Sequence, residues 1–91
     1  MITSDNKKSL KTSIKKIRGL CDRLEKMVDE DIHCMDILQQ GNAGRGIFDG
    51  FNRIMVKNHL QTCGQECLAS KDEKKKEAFI EEFVKVIHRS S

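Results

Sequence analysis

Gly41-Asn42-Ala43-Gly44-Arg45-Gly46, followed at once by Ile47-Phe48-Asp49-Gly50-Phe51, is the stretch whose conformation decides the fold. Three glycines in six residues each cost about 1 kcal/mol in a helix interior relative to Ala, so local propensity favours a loop. Against that, Ile47, Phe51, Ile54 and Asn58 keep helical spacing directly afterwards, and the small residues at 43, 44, 46 and 50 let two helices approach closely. The residues alone leave both readings open: a hairpin of two short helices about 41–46, or one long helix.

The flanks are less ambiguous. Leu10, Ile14, Ile17, Cys21, Leu24 and Val28 recur at steps of four and three, a heptad seam that predicts a long first helix with Cys21 in its core. Ser4 or Asp5 can cap its start, and Asp29-Glu30-Asp31 marks its end, where the helix dipole disfavours acids. A third helix is signalled by Ser70-Lys71-Asp72-Glu73, a capping-box pattern, then by Phe79, Ile80, Phe83, Val84, Val86 and Ile87, with a basic end at His88-Arg89. Lys74-Lys75-Lys76-Glu77 reads as a solvated face. No strand alternation, internal repeat or low-complexity stretch appears, so the class is all-α, a single domain over 1–91.

Composition narrows the function classes. Leu, Ile, Val and Phe total 23 of 91 residues, a thin core for a lone chain, so self-association is expected. With no Trp or Tyr, the aromatic platforms of RNA-recognition and OB folds are missing. The formal charge of +3 permits duplex binding if the basic groups cluster. The first residues lack an apolar leader core and no window is apolar enough for a membrane span, so the expected location is cytoplasmic, with no membrane partner. Thiols stay reduced there, and Cys21, Cys34, Cys63 and Cys67 read as core, metal-binding or reactive groups before disulfides.

His59, Cys63 and Cys67 are spaced four apart, which stacks an imidazole and two thiols along one helix face. Cys34, preceded by His33, comes 25 residues before His59. If the middle segment is one helix, that separation is roughly 38 Å and one chain cannot close a shared site. An antiparallel pair of chains crossing beside Gly46 and Gly50 can close it. A hairpin about 41–46 would instead close it within a monomer. Two thiolates with one imidazole suit Cu(I) or Zn(II); a dry set of this kind favours Cu(I), whereas zinc normally recruits a fourth ligand such as Cys67 or water. A Cys/His dyad lacks an orienting third group and an oxyanion loop, so the reading is not an enzyme.

Ile17-Arg18-Gly19, the run from Arg23 to Asp31 leading into Cys34, Asp36-Ile37-Leu38-Gln39-Gln40, and above all Asn58-His59-Leu60-Gln61-Thr62-Cys63 resemble the copper-sensitive operon repressors. These are small all-helical regulators whose relatives sense nickel, cobalt, formaldehyde or persulfide. The resemblance covers nearly the whole chain. It implies one long middle helix, three helices per chain, and an antiparallel dimeric four-helix bundle, the homo-oligomer being that dimer or a homotetramer built from it. It further implies a Cu(I) site of Cys34 with His59 and Cys63 of the partner chain. Glu82 sits where the family places a glutamate that holds the ligand His through its other ring nitrogen, and His33 stands where the family carries an aromatic neighbour. The extra N-terminal ligand position of nickel and cobalt sensors is Ile2 here, which favours copper.

The expected function is a Cu(I)-responsive repressor that binds operator DNA in the apo form and releases it when copper binds. Lys15, Lys16, Arg18, Arg45 and Arg53 are the candidate phosphate contacts. Ser13, Leu20 and Gly50 replace an arginine, a glutamine and a basic residue of the family pattern. They define the alternative of a copper-buffering or chaperone-like member without operator binding. A persulfide or electrophile sensor using Cys34 and Cys63 is the other alternative.

Overall fold

The computed structural model describes residues 1–90, and every regular element among them is helical. Helix α1 spans Ser4–Asp29 and α2 spans Cys34–His59. A π turn, Leu60–Gly64, carries α2 directly into the short α3, Gln65–Ala69, and α4 spans Glu73–Ser90. The glycine-rich stretch is helix throughout, so the intrachain hairpin about 41–46 is overturned. Close packing offsets glycine's poor propensity at one point in particular: a Cβ on Gly44 would stand 2.6 Å from the Leu20 Cδ2 methyl, so any larger residue there would displace the Leu20 side chain from its seat on α2.

The pairing of α1 with α2 is antiparallel, fixed near one end by a hydrogen bond between Asn6 and Asn58 and in the middle by Leu20 on Gly44. Residues 6, 10, 13, 17, 20, 24 and 27 of α1 are all buried or half-buried, a heptad seam displaced from the one expected. Leu20 takes the core place assigned to Cys21, and Cys21 and Val28 are exposed. The two rows are adjacent on the helix, and Gly44 opposite Leu20 decided between them. On α2 the matching row is 37, 40, 44, 47, 51, 54 and 58, again buried or half-buried.

The helix ends differ in detail from expectation. Thr3, not Ser4 or Asp5, caps α1, its hydroxyl accepting from the Asn6 amide at 3.3 Å. At the other end the Ile32 amide donates to the Met27 carbonyl and the Asp31 amide to that of Val28, with Asp31 in the left-handed region at φ 52°. This is a Schellman closure that uses Asp where Gly is usual. His33 caps α2, its Nδ1 accepting from the Met35 amide at 3.2 Å. Asp72 rather than Ser70 caps α4, its carboxylate accepting from the amides of Lys74 and Lys75, while the Ser70 hydroxyl accepts from the Asp72 amide. The backbone of His88 and Arg89 continues α4; their side chains lie outside the described residues.

The chain measures 59 × 27 × 13 Å with a radius of gyration of 17.8 Å, against about 12 Å for a compact chain of this length. A 13 Å thickness is that of a single layer of helices. Among the described residues only Leu10, Leu20 and Phe79 are buried apolar side chains, while Val28, Met35, Leu38, Phe48, Ile80, Val84 and Val86 are exposed. A domain core needs two layers, and this chain supplies one. The accessible surface of 7426 Å² exceeds the roughly 5,400 Å² expected for a folded monomer of this mass.

Candidate metal centre

Cys34 is the first residue of α2 and His59 its last, with Cys63 in the π turn that follows. Because the helix is unbroken, Cys34 and His59 lie roughly 38 Å apart along one rod. Among the described residues no group of three His, Cys, Asp or Glu converges within the chain. The structure thus brings His59 and Cys63 to one end and leaves Cys34 at the other. Cys34 and Cys63 are exposed and Cys67 is half-buried.

What holds His59 is mostly aromatic. Its ring stacks on Phe79 with centroids 5.1 Å apart and an interplanar angle of 24°, and on Phe83 at 6.4 Å and 12°. Phe79 and Phe83 stack on each other at 6.0 Å, so α4 fixes the plane of the imidazole. Phe79 reaches it over Gly64, where a Cβ would meet the His59 carbonyl oxygen at 3.1 Å and the Phe79 ring at 3.2 Å. Glu82 joins His59, Asn52, Met55, Phe83 and others around an open cleft of about 260 Å³ between α2 and α4.

The residue before His59 is the most heavily bonded side chain near the site. Asn58 is 3% exposed. Its Oδ1 accepts from the Thr3 amide and from Asn6 Nδ2, both at 3.0 Å, and its Nδ2 donates to the Met1 carbonyl at 2.9 Å. Asn6 Nδ2 also donates to Gln61 Oε1, and the Thr62 hydroxyl bonds back to the Asn58 carbonyl. The turn that carries His59 and Cys63 is therefore tied to the first residues of the chain. This clamp escaped sequence reading, as did the Phe79 stack. The available signal was a pair of asparagines, 6 and 58, standing at inward positions of two largely apolar rows.

The basic residues fall in two groups. Lys7, Lys8, Lys11, Lys15 and Arg18 are exposed along the side of α1 that faces away from α2, while Lys16 lies apart from them. Arg45 and Arg53 are exposed on α2, and Arg45 lines a second cleft with Leu20, Cys21, Gly44, Phe48 and Asp49. Of the three departures from the family pattern, Leu20 is buried and Ser13 and Gly50 are half-buried.

The family described as metal-sensitive transcriptional repressor matches residues 6–89. The chain belongs to that family. The copper-sensing transcriptional repressor CsoR of Mycobacterium ulcerans (strain Agy99) is 33% identical over 60 residues, 66% of this chain and 51% of the relative. That of Mycobacterium tuberculosis (strain H37Rv) is 33% identical over 57 residues, 63% and 48%. This chain spans about half the length of these mycobacterial relatives. The transcriptional repressor RcnR of Citrobacter koseri is 36% identical over 85 residues, covering 93% of this chain and 91% of the relative. For this member of the metal-sensitive repressors, no helix among the described residues is long and apolar enough to cross a membrane.

Proposed function

We propose that this protein is a Cu(I)-responsive transcriptional repressor whose metal site lies between subunits, formed by Cys34 of one chain with the partner's His59 and Cys63. The observation that carries this reading is the unbroken α2, which keeps Cys34 a helix length from His59 and leaves a second, antiparallel chain as the means of joining them. Copper is supported by the donor set of two thiolates and one imidazole, by Ile2 at the extra-ligand position, and by the copper-sensing name of the mycobacterial relatives. His59 is already oriented by Phe79 and Phe83; Glu82 shares its cleft and holds its other ring nitrogen in this reading. His33, with Nδ1 committed to its capping bond, offers Nε2 beside Cys34.

Operator DNA binds the metal-free assembly through the Lys15 and Arg18 side of α1, with Lys16 and Arg53 as further phosphate contacts. That Leu20 is buried and Ser13 half-buried in the row packed on α2 supports retention of DNA binding, because the exposed basic row survives without them. Copper and DNA then oppose each other: copper favours the DNA-free form, and by linkage DNA weakens copper by the same factor. Gel-shift titration against the protein's own promoter region, with and without Cu(I), tests this. Copper-dependent release is expected. A chain that shifts no upstream DNA but binds copper is a buffer, and one released by persulfide rather than copper is a thiol sensor. The subunit-bridging site is tested by mixing Cys34→Ala with Cys63→Ala chains. Neither alone should show the two-sulfur, one-nitrogen copper signature in X-ray absorption, and the mixture should regain it.

A further inference from the structure

The first amides of a helix have no partner within it, so the start of α1 depends on what holds its cap. Thr3 accepts from the Asn6 amide through its hydroxyl and from the Lys7 amide through its carbonyl. It is itself held from outside the helix, because its own amide donates to Asn58 Oδ1 at 3.0 Å. Asn6, 7% exposed, donates through Nδ2 to that same oxygen and to Gln61 Oε1 at 3.1 Å. Among the described residues, the hydrogen bonds between α1 with its cap and α2 with the turn that follows it all gather at this corner.

Two kinds of chemistry meet there. Asn58 directly precedes His59, and Gln61 stands between His59 and Cys63 in the π turn, a turn type that is rare and concentrates at functional sites. On the α1 side, Lys7 follows Asn6 directly, Lys8 comes next and Lys11 lies one turn on. All three are exposed and continue the line of Lys15 and Arg18. A movement of the turn that carries Cys63 draws Gln61 and Asn58 away from Asn6 and Thr3, and the cap of α1 loses its outside support. A frayed first turn no longer holds Lys7, Lys8 and Lys11 in line with the cations further along.

We propose that Asn6, Asn58 and Gln61 form a latch that sets how much of α1 grips DNA phosphates, according to the state of the His59–Cys63 turn. The inference rests on the metal-responsive, DNA-binding reading above and adds the residues that join its two sites. Latched, α1 presents Lys7, Lys8, Lys11, Lys15 and Arg18 along one side; unlatched, it presents Lys15 and Arg18. DNA favours the latched form, and the unlatched form is favoured when His59 and Cys63 share a metal with a second chain. The two ligands then oppose each other through one two-state element. Asn6, Asn58 and Gln61 are positioning residues that touch neither ligand.

The test is the salt dependence of DNA binding by the metal-free full chain, read by fluorescence anisotropy on the protein's own promoter region. Each lost phosphate contact lowers the slope of log affinity against log salt by about 0.9, so Asn6→Ala should lower it by about two to three. Replacing Lys7, Lys8 and Lys11 by Gln should do the same in the parent and add little in the Asn6→Ala background, a non-additivity that general destabilisation does not produce. Gln61 is exposed, so its replacement leaves the fold intact. Gln61→Leu should lower the slope, and Gln61→Glu, which keeps the acceptor, should retain the parent's. Without DNA, Cu(I) should lower the hydrogen-exchange protection of the Asn6 and Lys7 amides. Unchanged protection, or parental slopes in both Asn6→Ala and Gln61→Leu, would overturn the latch, while copper-driven release by the parent would leave the repressor reading standing. If the parent binds no DNA, that reading fails, and the exchange measurement decides the latch alone: lost protection supports it and unchanged protection overturns it.

Discussion

Replacing Asn58 by Ala removes the three hydrogen bonds that tie the His59 turn to the start of the chain, and the cost can be worked bond by bond. A buried neutral hydrogen bond contributes about 1 kcal/mol net, which sets an upper figure of about 3 kcal/mol. Asn6 keeps Gln61 as an acceptor, and the Met1 carbonyl and Thr3 amide are only part-buried and regain water. The expected loss is therefore about 2 kcal/mol, a fall in melting temperature of about 10 °C for a domain of this size. Asn6→Ala should cost about half as much. The double variant should lose less than the sum, because the shared bond is counted once. Denaturation must be followed at fixed protein concentration, since an associating chain gains stability by mass action. Hydrogen exchange localises the effect: the Thr3, Asn6 and Lys7 amides, which donate to Asn58 Oδ1, the Thr3 hydroxyl and the Thr3 carbonyl, should lose protection while amides in the middle of α1 do not. A loss below about 0.5 kcal/mol, or unchanged protection at Thr3, would show that the network is not what anchors this end of the chain.

Gly64→Ala should cost about 1–2 kcal/mol by overpacking against the His59 carbonyl and the Phe79 ring; NMR ring-current shifts on His59 should diminish, and their persistence would refute the seating of Phe79 over Gly64. Asp31→Gly should stabilise by about 0.5–1 kcal/mol, because Asp31 holds a left-handed conformation at φ 52° that glycine adopts without strain; thermal denaturation checks it, and any destabilisation counts against the Schellman closure. Glu82→Gln should keep copper bound, since the three proposed ligands survive, yet lose copper-driven DNA release and the copper-dependent change in hydrogen exchange of α4. Loss of copper altogether, or release equal to the parent's, would show that Glu82 does not relay through His59.

The helical class, the three long helical stretches and the ligand types of the candidate site were all written in the sequence, because periodicity and the Cys-His-Cys spacing are properties of neighbours along the chain. Whether residues 41–46 bend or run straight was not, since glycine's intrinsic cost is set against a contact with Leu20 that is distant in sequence. The same contact chose between two adjacent apolar rows on α1, burying Leu20 and leaving Cys21 exposed. The caps at Thr3 and Asp72 lay within a residue or two of those expected, because several side chains in each stretch can cap and backbone geometry selects one. Neither the Asn6–Asn58 clamp nor the Phe79 stack on His59 is local in any sense, and no spacing rule reports which polar residue of one helix will find which of another. The sequence by itself determined what kinds of groups lie on each helix and at what intervals; the tertiary structure decided which faces are used up within one chain and which are left open, because that depends on where two helices touch.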